Sequence, residues 1–266
     1  MNNTETKYAL ITGATSGIGY ELAKLFAQDG YNLVIVARPG DRLNEVVQEF
    51  SSQYGIEAVA VGKDLFVDGA AEEVYKEVKE KGITVNVLVN DAGQGVFGKF
   101  HEEDLDRQLK IIHLNVVALT TLTYLFLKDM VARNEGKILQ LASIVSVLPA
   151  PLQAVYGGTK AYILKFTEAI INEVKDTNVT ITALQPGVTD TDFFNKAGAQ
   201  DSKLAQDKSA MADPAEVAKD GYNALMKGED KIVSGFKNKA QVAMANVTPD
   251  SMLAEQMRKQ SEETDK

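Results

Sequence analysis

The stretch Tyr8-Ala9-Leu10-Ile11-Thr12-Gly13-Ala14-Thr15-Ser16-Gly17-Ile18-Gly19 decides the architecture. Its first four residues read as a short buried strand, the glycines at 13, 17 and 19 as a tight turn, and the residues from Gly17 onward as the start of a helix. A strand that turns through glycines into a helix leaves backbone N–H groups and the positive end of the helix dipole facing outward, which suits a phosphate. The same glycines also serve a plain strand-to-helix turn, so the loop gains meaning only from the residues downstream of it.

Outward from this loop, apolar β-branched runs alternate with segments of helical period. Strand candidates are 8–11, 33–36, 58–61, 85–89, 138–141, 179–184 and 232–233, and helix candidates are 17–29, 41–54, 70–81, 103–133, 154–175 and 214–227. Alternation of this kind predicts right-handed βαβ crossovers and a parallel sheet covered on both faces. The expected fold is therefore α/β, a Rossmann-type doubly wound sheet of about seven strands in a single domain. Ligands in such sheets sit beyond the carboxyl ends of the strands, where the loops after Ile11, Val36, Val89, Leu141 and Leu184 converge. Residues 1–245 read as that domain. The polar segment 190–213, which contains Phe193-Phe194, is too long for an ordinary connection and reads as a substrate lid over about 187–213. The tail 246–266 has a weak helical stretch near 252–259 and a charged end, for which disorder is at least as consistent as packing.

Composition narrows the chemistry. The 266 residues, 45% hydrophobic, suffice for one full core. Zero cysteines exclude disulfides, thiolate catalysis and Cys-zinc sites, and two histidines, His101 and His113, are too few for the usual metal centre. Neither histidine enters the expected chemistry, which is metal-free. A net charge of −9 disfavours nucleic-acid partners. No run of eighteen apolar residues and no secretion-type start is seen, so the expectation is a cytoplasmic protein without membrane partners.

Tyr156 is followed four residues later by Lys160, one helical turn, so both emerge on one face. A cation near a phenol stabilises phenolate and lowers a pKa that is ordinarily about 10, which predicts an acid/base usable near neutral pH. Taken singly, the pair could be a half-buried aromatic and a surface cation. Ser143, thirteen residues earlier and just past the strand 138–141, tips the balance toward a reacting site.

With these residues in order, the chain resembles the short-chain dehydrogenase/reductase family from about residue 7 to 235. The family's Thr-Gly-x-x-x-Gly-x-Gly appears as Thr12 to Gly19, its Asn-Asn-Ala-Gly as Asn90-Asp91-Ala92-Gly93, its helix asparagine as Asn115, its serine as Ser143 and its Tyr-x-x-x-Lys as Tyr156 to Lys160, with Pro186-Gly187 after the sixth strand. The resemblance implies that Tyr156 protonates a carbonyl oxygen while hydride reaches the carbon, that Ser143 hydrogen-bonds that oxygen, and that Lys160 depresses the Tyr156 pKa and holds the nicotinamide ribose. It implies that Asn115 holds a water relaying protons to Lys160, although a mid-helix Asn is equally consistent with a kink or a satisfied core amide. Gly13, Thr15, Ser16, Gly17, Ile18 and Gly19 would cradle the pyrophosphate, and Asn90, Ala92 and Gly93 would line the cofactor groove. Pro186, Gly187, Thr189 and Thr191 would hold the carboxamide end, where both threonines could also be turn residues. Arg38, where an acidic residue would select NAD, favours NADP by pairing with a 2′-phosphate, and Arg42 offers a second contact. Arg38 could instead only snorkel at a strand end, and position 16, often basic in members that prefer NADP, is Ser. Asp64-Leu65 matches the adenine-binding position, with an Asp that bonds its own turn as the competing reading. Asp91 departs from the usual Asn, and a carboxylate accepting N–H bonds can fill the same place.

The expected function is an NADP-dependent oxidoreductase interconverting a carbonyl and a secondary alcohol, with NAD the lesser choice of cofactor. The alternative is a catalytically silent NADP-binding sensor or scaffold, against which the retained Tyr156 and Lys160 argue. A lyase or epimerase of the extended branch needs a longer C-terminal domain than the roughly 80 residues after Gly187 provide. A homodimer through the two long helices is expected, with a tetramer open; Leu119, Leu122, Leu125 and Phe126 could form that interface or face their own sheet. For substrate, Val145, Leu148, Pro149, Ala150, Val155, Phe193 and Phe194 suggest a partly apolar cleft, Gln94 and Gln153 add polarity, and no Arg or Lys is evidently placed to grip a carboxylate.

Overall fold

The computed structural model describes residues 6–245 and 247–262. Seven strands, β1 (Tyr8–Thr12), β2 (Asn32–Ala37), β3 (Ala58–Gly62), β4 (Val85–Asn90), β5 (Gly136–Leu141), β6 (Val179–Gln185) and β7 (Lys231–Val233), pair in parallel in the order β3-β2-β1-β4-β5-β6-β7. The order reverses between β1 and β4, which puts the switch point directly beyond Thr12 and Asn90, partners in register. Register carries the edge across the sheet: Asn90 stands opposite Gln140, and Gln140 opposite Ala183.

The helices are α1 (Gly17–Gln28), α2 (Asp41–Tyr54), α3 (Ala70–Glu80), α4 (Leu105–Ile112), α5 (Leu119–Ala132), α6 (Ala154–Glu173), α7 (Phe193–Ala197), α8 (Lys203–Gln206), α9 (Pro214–Lys227), α10 (Phe236–Ala245) and α11 (Asp250–Ser261). Alternation within each strand feeds two cores. Leu10, Val34 and Leu88 point to a layer of α3, α5 and α6, where they meet Val74, Leu122, Phe126 and Ile170. Ala9, Ile11, Leu33 and Ile35 point the other way, to Leu22 and Phe26 of α1, Val46 and Phe50 of α2, and Val217 and Leu225 of α9. Local signals set the ends: Asp213 accepts the Ala215 N–H ahead of Pro214 to open α9, and the left-handed Gly228 closes it.

The single helix expected over 103–133 opens only after Asp104, whose side chain caps Asp106, and is interrupted by a π-helical segment, His113–Ala118, between α4 and α5. Among the described residues, Leu105–Ala132 is also the one stretch long and apolar enough to cross a membrane, and its Leu122, Phe126 and Met130 are buried in the core. Leu119, Leu122 and Phe126 therefore face their own sheet rather than a partner. The tail, for which disorder is as consistent with the sequence as packing, carries α11, with Leu253 and Met257 buried against Ile144 and Leu148. Periodicity is weak there because only two apolar residues are used. Residues 190–213 hold the short α7 and α8, with Phe194 buried.

Candidate active site

The glycine loop is shaped from both sides. Gly13 N–H bonds to the Val36 carbonyl at 2.9 Å, and the Thr12 hydroxyl accepts from the N–H groups of Asp91 and Ala92 at 3.1 and 3.0 Å, which ties the ends of β1, β2 and β4 together. Gly17 sits at φ +60, in the left-handed region that favours glycine. A Cβ at Gly19 would collide with Asp91 Oδ2, so the carboxylate occupies the space a side chain would need. Asp91 also accepts the Gly19 N–H. Ser16, at the N-cap of α1, makes no side-chain cap bond and the first turn holds no acidic residue. Ser16, Gly17 and Ile18 line a large cavity at the carboxyl edge of the sheet, so this helix start opens onto it.

That cavity, of about 710 Å³, brings Ser143, Tyr156 and Lys160 together with Gly93, Pro186, Gly187, Thr189 and Thr191. Ser143 follows β5 at the start of a 3₁₀ turn; its hydroxyl donates to the Pro186 carbonyl at 3.4 Å and accepts the Val145 N–H at 3.3 Å. Lys160 is 4% exposed, donates to the Leu141 carbonyl at 2.6 Å and lies 5.6 Å from the centre of the Tyr156 ring. The ring of Phe193 approaches Tyr156 at 5.0 Å between centroids.

The electrostatics correct one expectation. Burial pushes the Tyr156 phenol up to about 12, against a smaller opposing pull from its hydrogen bond with Ser143. Lys160 is itself pushed down to about 8 by burial, which outweighs the stabilising charge of Asp91. The expected lowering of the phenol by Lys160 is thus not found: in a dehydrated site the phenolate's loss of solvation dominates, and the opposing pull comes from Ser143. Asp91 rises to about 7, chiefly by burial, with Lys160 pulling it the other way. Sequence pattern assigns Asp91 only a tie between loops; its coupling to Lys160 depends on three-dimensional proximity.

Asn115, 1% exposed, sits inside the π-helical segment. Its Nδ2 donates to the Gln94 carbonyl at 2.9 Å and to Thr159 Oγ1 at 3.0 Å, and its Oδ1 accepts the Gln94 N–H at 3.1 Å. Thr159 in turn donates to the Tyr156 carbonyl at 2.7 Å. Asn115 thus marks a helix irregularity and is a satisfied core amide, the alternative to the water-holding role that the resemblance implies, and it clamps the loop after β4 to the helix of Tyr156. Gln94, expected in the substrate cleft, is bound by Asn115 and by Arg107 at 2.5 Å.

The remaining candidates divide. Arg38 is exposed just past β2, and Arg42 donates to the Thr15 carbonyl at 3.3 Å over the glycine loop. Asp64 Oδ1 accepts the Phe66 N–H at 3.1 Å, so the turn reading of this residue is realised, and Leu65 is buried. Asn90 donates to Thr123 and Gln140, both at 3.0 Å, and serves the core rather than the cavity. The Thr189 hydroxyl donates to the Gly187 carbonyl at 3.1 Å, and the Thr191 methyl stands 3.1 Å from where a Gly17 Cβ would be. His113 contacts Asp68 at 3.2 Å and His101 is an exposed loop residue; neither lines the cavity. The cavity also takes in Asn238, Gln241 and Met257 from α10 and α11, helices that sequence reading does not connect to the site.

Known proteins match this arrangement. The family profile described as short chain dehydrogenase matches residues 7–202. A short chain dehydrogenase of Pseudocercospora fijiensis is 34% identical over 189 residues, 70% of this chain, although the match spans only 61% of that relative's length. A 7beta-hydroxysteroid dehydrogenase of Mediterraneibacter gnavus is 28% identical over 251 residues, 93% of this chain and 94% of the relative. A solved short-chain dehydrogenase from Sphingobium yanoikuyae, in complex with NADPH, superposes with a TM-score of 0.82 at 24% identity, covering 93% of this chain and 95% of that one, a likeness of fold. With its sheet order, glycine loop and matched residues in agreement, the chain belongs to the short chain dehydrogenase family of oxidoreductases.

Proposed function

We propose that the protein is an NADP-dependent oxidoreductase that interconverts a carbonyl and a secondary alcohol, with Tyr156 as acid/base. The observation that carries this is the meeting of Ser143, Tyr156 and Lys160 in one cavity with an uncapped helix start. The residues present fit a dinucleotide: Ser16, Gly17 and Ile18 would hold the pyrophosphate on α1, Lys160 the nicotinamide ribose, and Thr189 and Thr191 the carboxamide end. When bound, the nicotinamide supplies or accepts the hydride.

The chain's own residues handle the proton. A substrate carbonyl oxygen accepts hydrogen bonds from the hydroxyls of Ser143 and Tyr156, and charge developing on that oxygen strengthens both. The Tyr156 hydroxyl gives its proton as the carbon is reduced, leaving a phenolate that Lys160, with its ring contact and its positive charge, stabilises. The Asn115 clamp keeps Tyr156 and the loop at Gln94 in fixed relation.

Choice of NADP rests on Arg38 and Arg42, exposed cations beside the loop where an adenosine 2′-phosphate would sit. A cytoplasmic location belongs to the same proposal, and cell fractionation tests it. A homodimer is proposed through α4 to α6, which leave Leu109, Ile112, Tyr124 and Tyr162 exposed. The activity is tested by following cofactor absorbance as purified protein meets NADPH, or NADH, with a panel of carbonyl compounds. NADPH consumption is expected with some members. Arg38→Asp is expected to lower NADPH affinity about ten- to a hundredfold, the value of one charge-assisted pair, and to shift preference toward NADH. An unchanged preference removes Arg38 as the phosphate clamp.

A further inference from the structure

We propose that the outer end of the cavity is an anion subsite, so that the substrate is an apolar ketone or alcohol carrying a carboxylate or similar group away from the reacting carbon; this rests on the oxidoreductase reading above. In a chain of formal net charge −9, the cavity is lined by five lysines against three aspartates. Two of the lysines have other work: Lys160 in the reacting centre, and Lys196, which pairs with Asp192 at 3.2 Å and whose charge acts on Asp91 at the glycine-loop end. Lys203, Lys237 and Lys259 remain, from α8, α10 and α11.

These three come from separate elements and form no ion pair with the cavity's aspartates among the described residues, though two of them hold glutamates outside it. Lys203 stands 3.9 Å from Glu262 and Lys259 2.9 Å from Glu255, carboxylates that do not line the cavity, and Lys237 is in no ion pair among the described residues. Their supports are fixed. Met257, two residues before Lys259, is buried with Ile144, the residue after Ser143, and Asn238, next to Lys237, donates to the Ser234 carbonyl at 2.6 Å and packs against Gly187. Apolar wall from Ile144, Val145, Phe193, Leu204 and Met257 shares the cavity with them. A reacting phenol, an apolar wall and an outer end where Lys237 stands without an ion pair, beside Lys203 and Lys259 with their glutamate partners, describe an amphipathic substrate with an anionic end. Lysine ammonium groups, being point charges on flexible stems, suit a carboxylate without demanding a fixed bidentate geometry. Spacing in the sequence conceals this, because the three lysines lie in segments without strong periodicity.

The test uses a series of straight-chain oxo-acids and their methyl esters, titrated by calorimetry into the protein with NADP⁺, where the ketone cannot be reduced. At least one acid is expected to bind about tenfold or more tightly than its ester, an advantage that shrinks with added salt. In the Lys237→Gln/Lys259→Gln double variant the acid-to-ester ratio is expected to fall toward one. The subsite is overturned if no acid binds better than its ester, or if the double variant keeps the ratio. Turnover with NADPH is read separately. Acid binding that depends on the lysines, without NADPH consumption by any carbonyl, removes the oxidoreductase reading and leaves the subsite; turnover without acid preference does the reverse.

Discussion

Tyr156 holds its proton more tightly than a phenol in water, because burial raises it to about 12. At neutral pH it is therefore protonated and present in the form carbonyl reduction needs, although it is a weaker acid than a phenol in water, whereas alcohol oxidation needs the scarce phenolate. Lys160, lowered to about 8, carries its charge below that pH and loses it above. The signs give opposite profiles for the two directions. Reduction is expected to be flat near neutrality and to fall above about pH 8, as the cation that stabilises the nascent phenolate disappears. Oxidation is expected to rise with pH from about 6 to 8, where Lys160 is still charged and the phenolate fraction grows. Initial rates in both directions across pH 5 to 10 check this, and a reduction rate that climbs steadily with pH contradicts it. Asp91, at about 7, titrates inside the same window and adds its charge to Lys160 as pH rises, holding the ammonium protonated.

The π-helical segment between α4 and α5 does for the backbone what Asn115 does for the loop: it turns one polar side chain inward from a helix otherwise committed to the core. Asn115→Ala leaves the Gln94 N–H and carbonyl without their partner, at a cost of about 1–3 kcal/mol in stability. Turnover is expected to fall as well, since the loop and Tyr156 lose their common anchor. Urea denaturation and kcat of the variant read the two effects; stability and kcat both unchanged would make the clamp dispensable. Elements differ in how legible they are. The strands β1 to β6 and helices α1 to α3 are readable because β-branched runs and glycine turns mark them locally. The break at His113–Ala118 is not, since the bonds that accompany it, from Asn115 to Gln94 and Thr159, join residues far apart in the sequence. Similarly, α11 has a mostly polar surface, and its place is set by where Leu253 and Met257 find Ile144.

At the scale of the molecule, parallel register brings the ends of β1, β4, β5 and β6 to one edge, and residues 80 positions apart, such as Thr12 and Ala92, become hydrogen-bonded neighbours. The motif residues at that edge are legible as types and spacings. Their electrostatics are not, because desolvation depends on everything packed around a group, and the lowering of the Tyr156 pKa expected from Lys160 alone gives way to a rise. Assembly belongs to this scale too. The apolar residues left outward on α4 to α6, including Tyr124 at 65% exposed, are expected to bury themselves in a dimer. Light scattering should give twice the chain mass, with Tyr124→Lys shifting the protein toward monomer; a monomeric wild type at micromolar concentration rules the interface out. The central claim is that this edge forms one site in which the Tyr156 hydroxyl delivers the proton of a hydride-transfer reaction. It is tested most directly by comparing Tyr156→Phe with the unaltered protein in NADPH-dependent reduction of a carbonyl substrate, with NADPH binding measured alongside. The expected result is a loss of about 10²- to 10⁴-fold in kcat with NADPH affinity within a few-fold; a variant that binds NADPH and turns over at the full rate would contradict it.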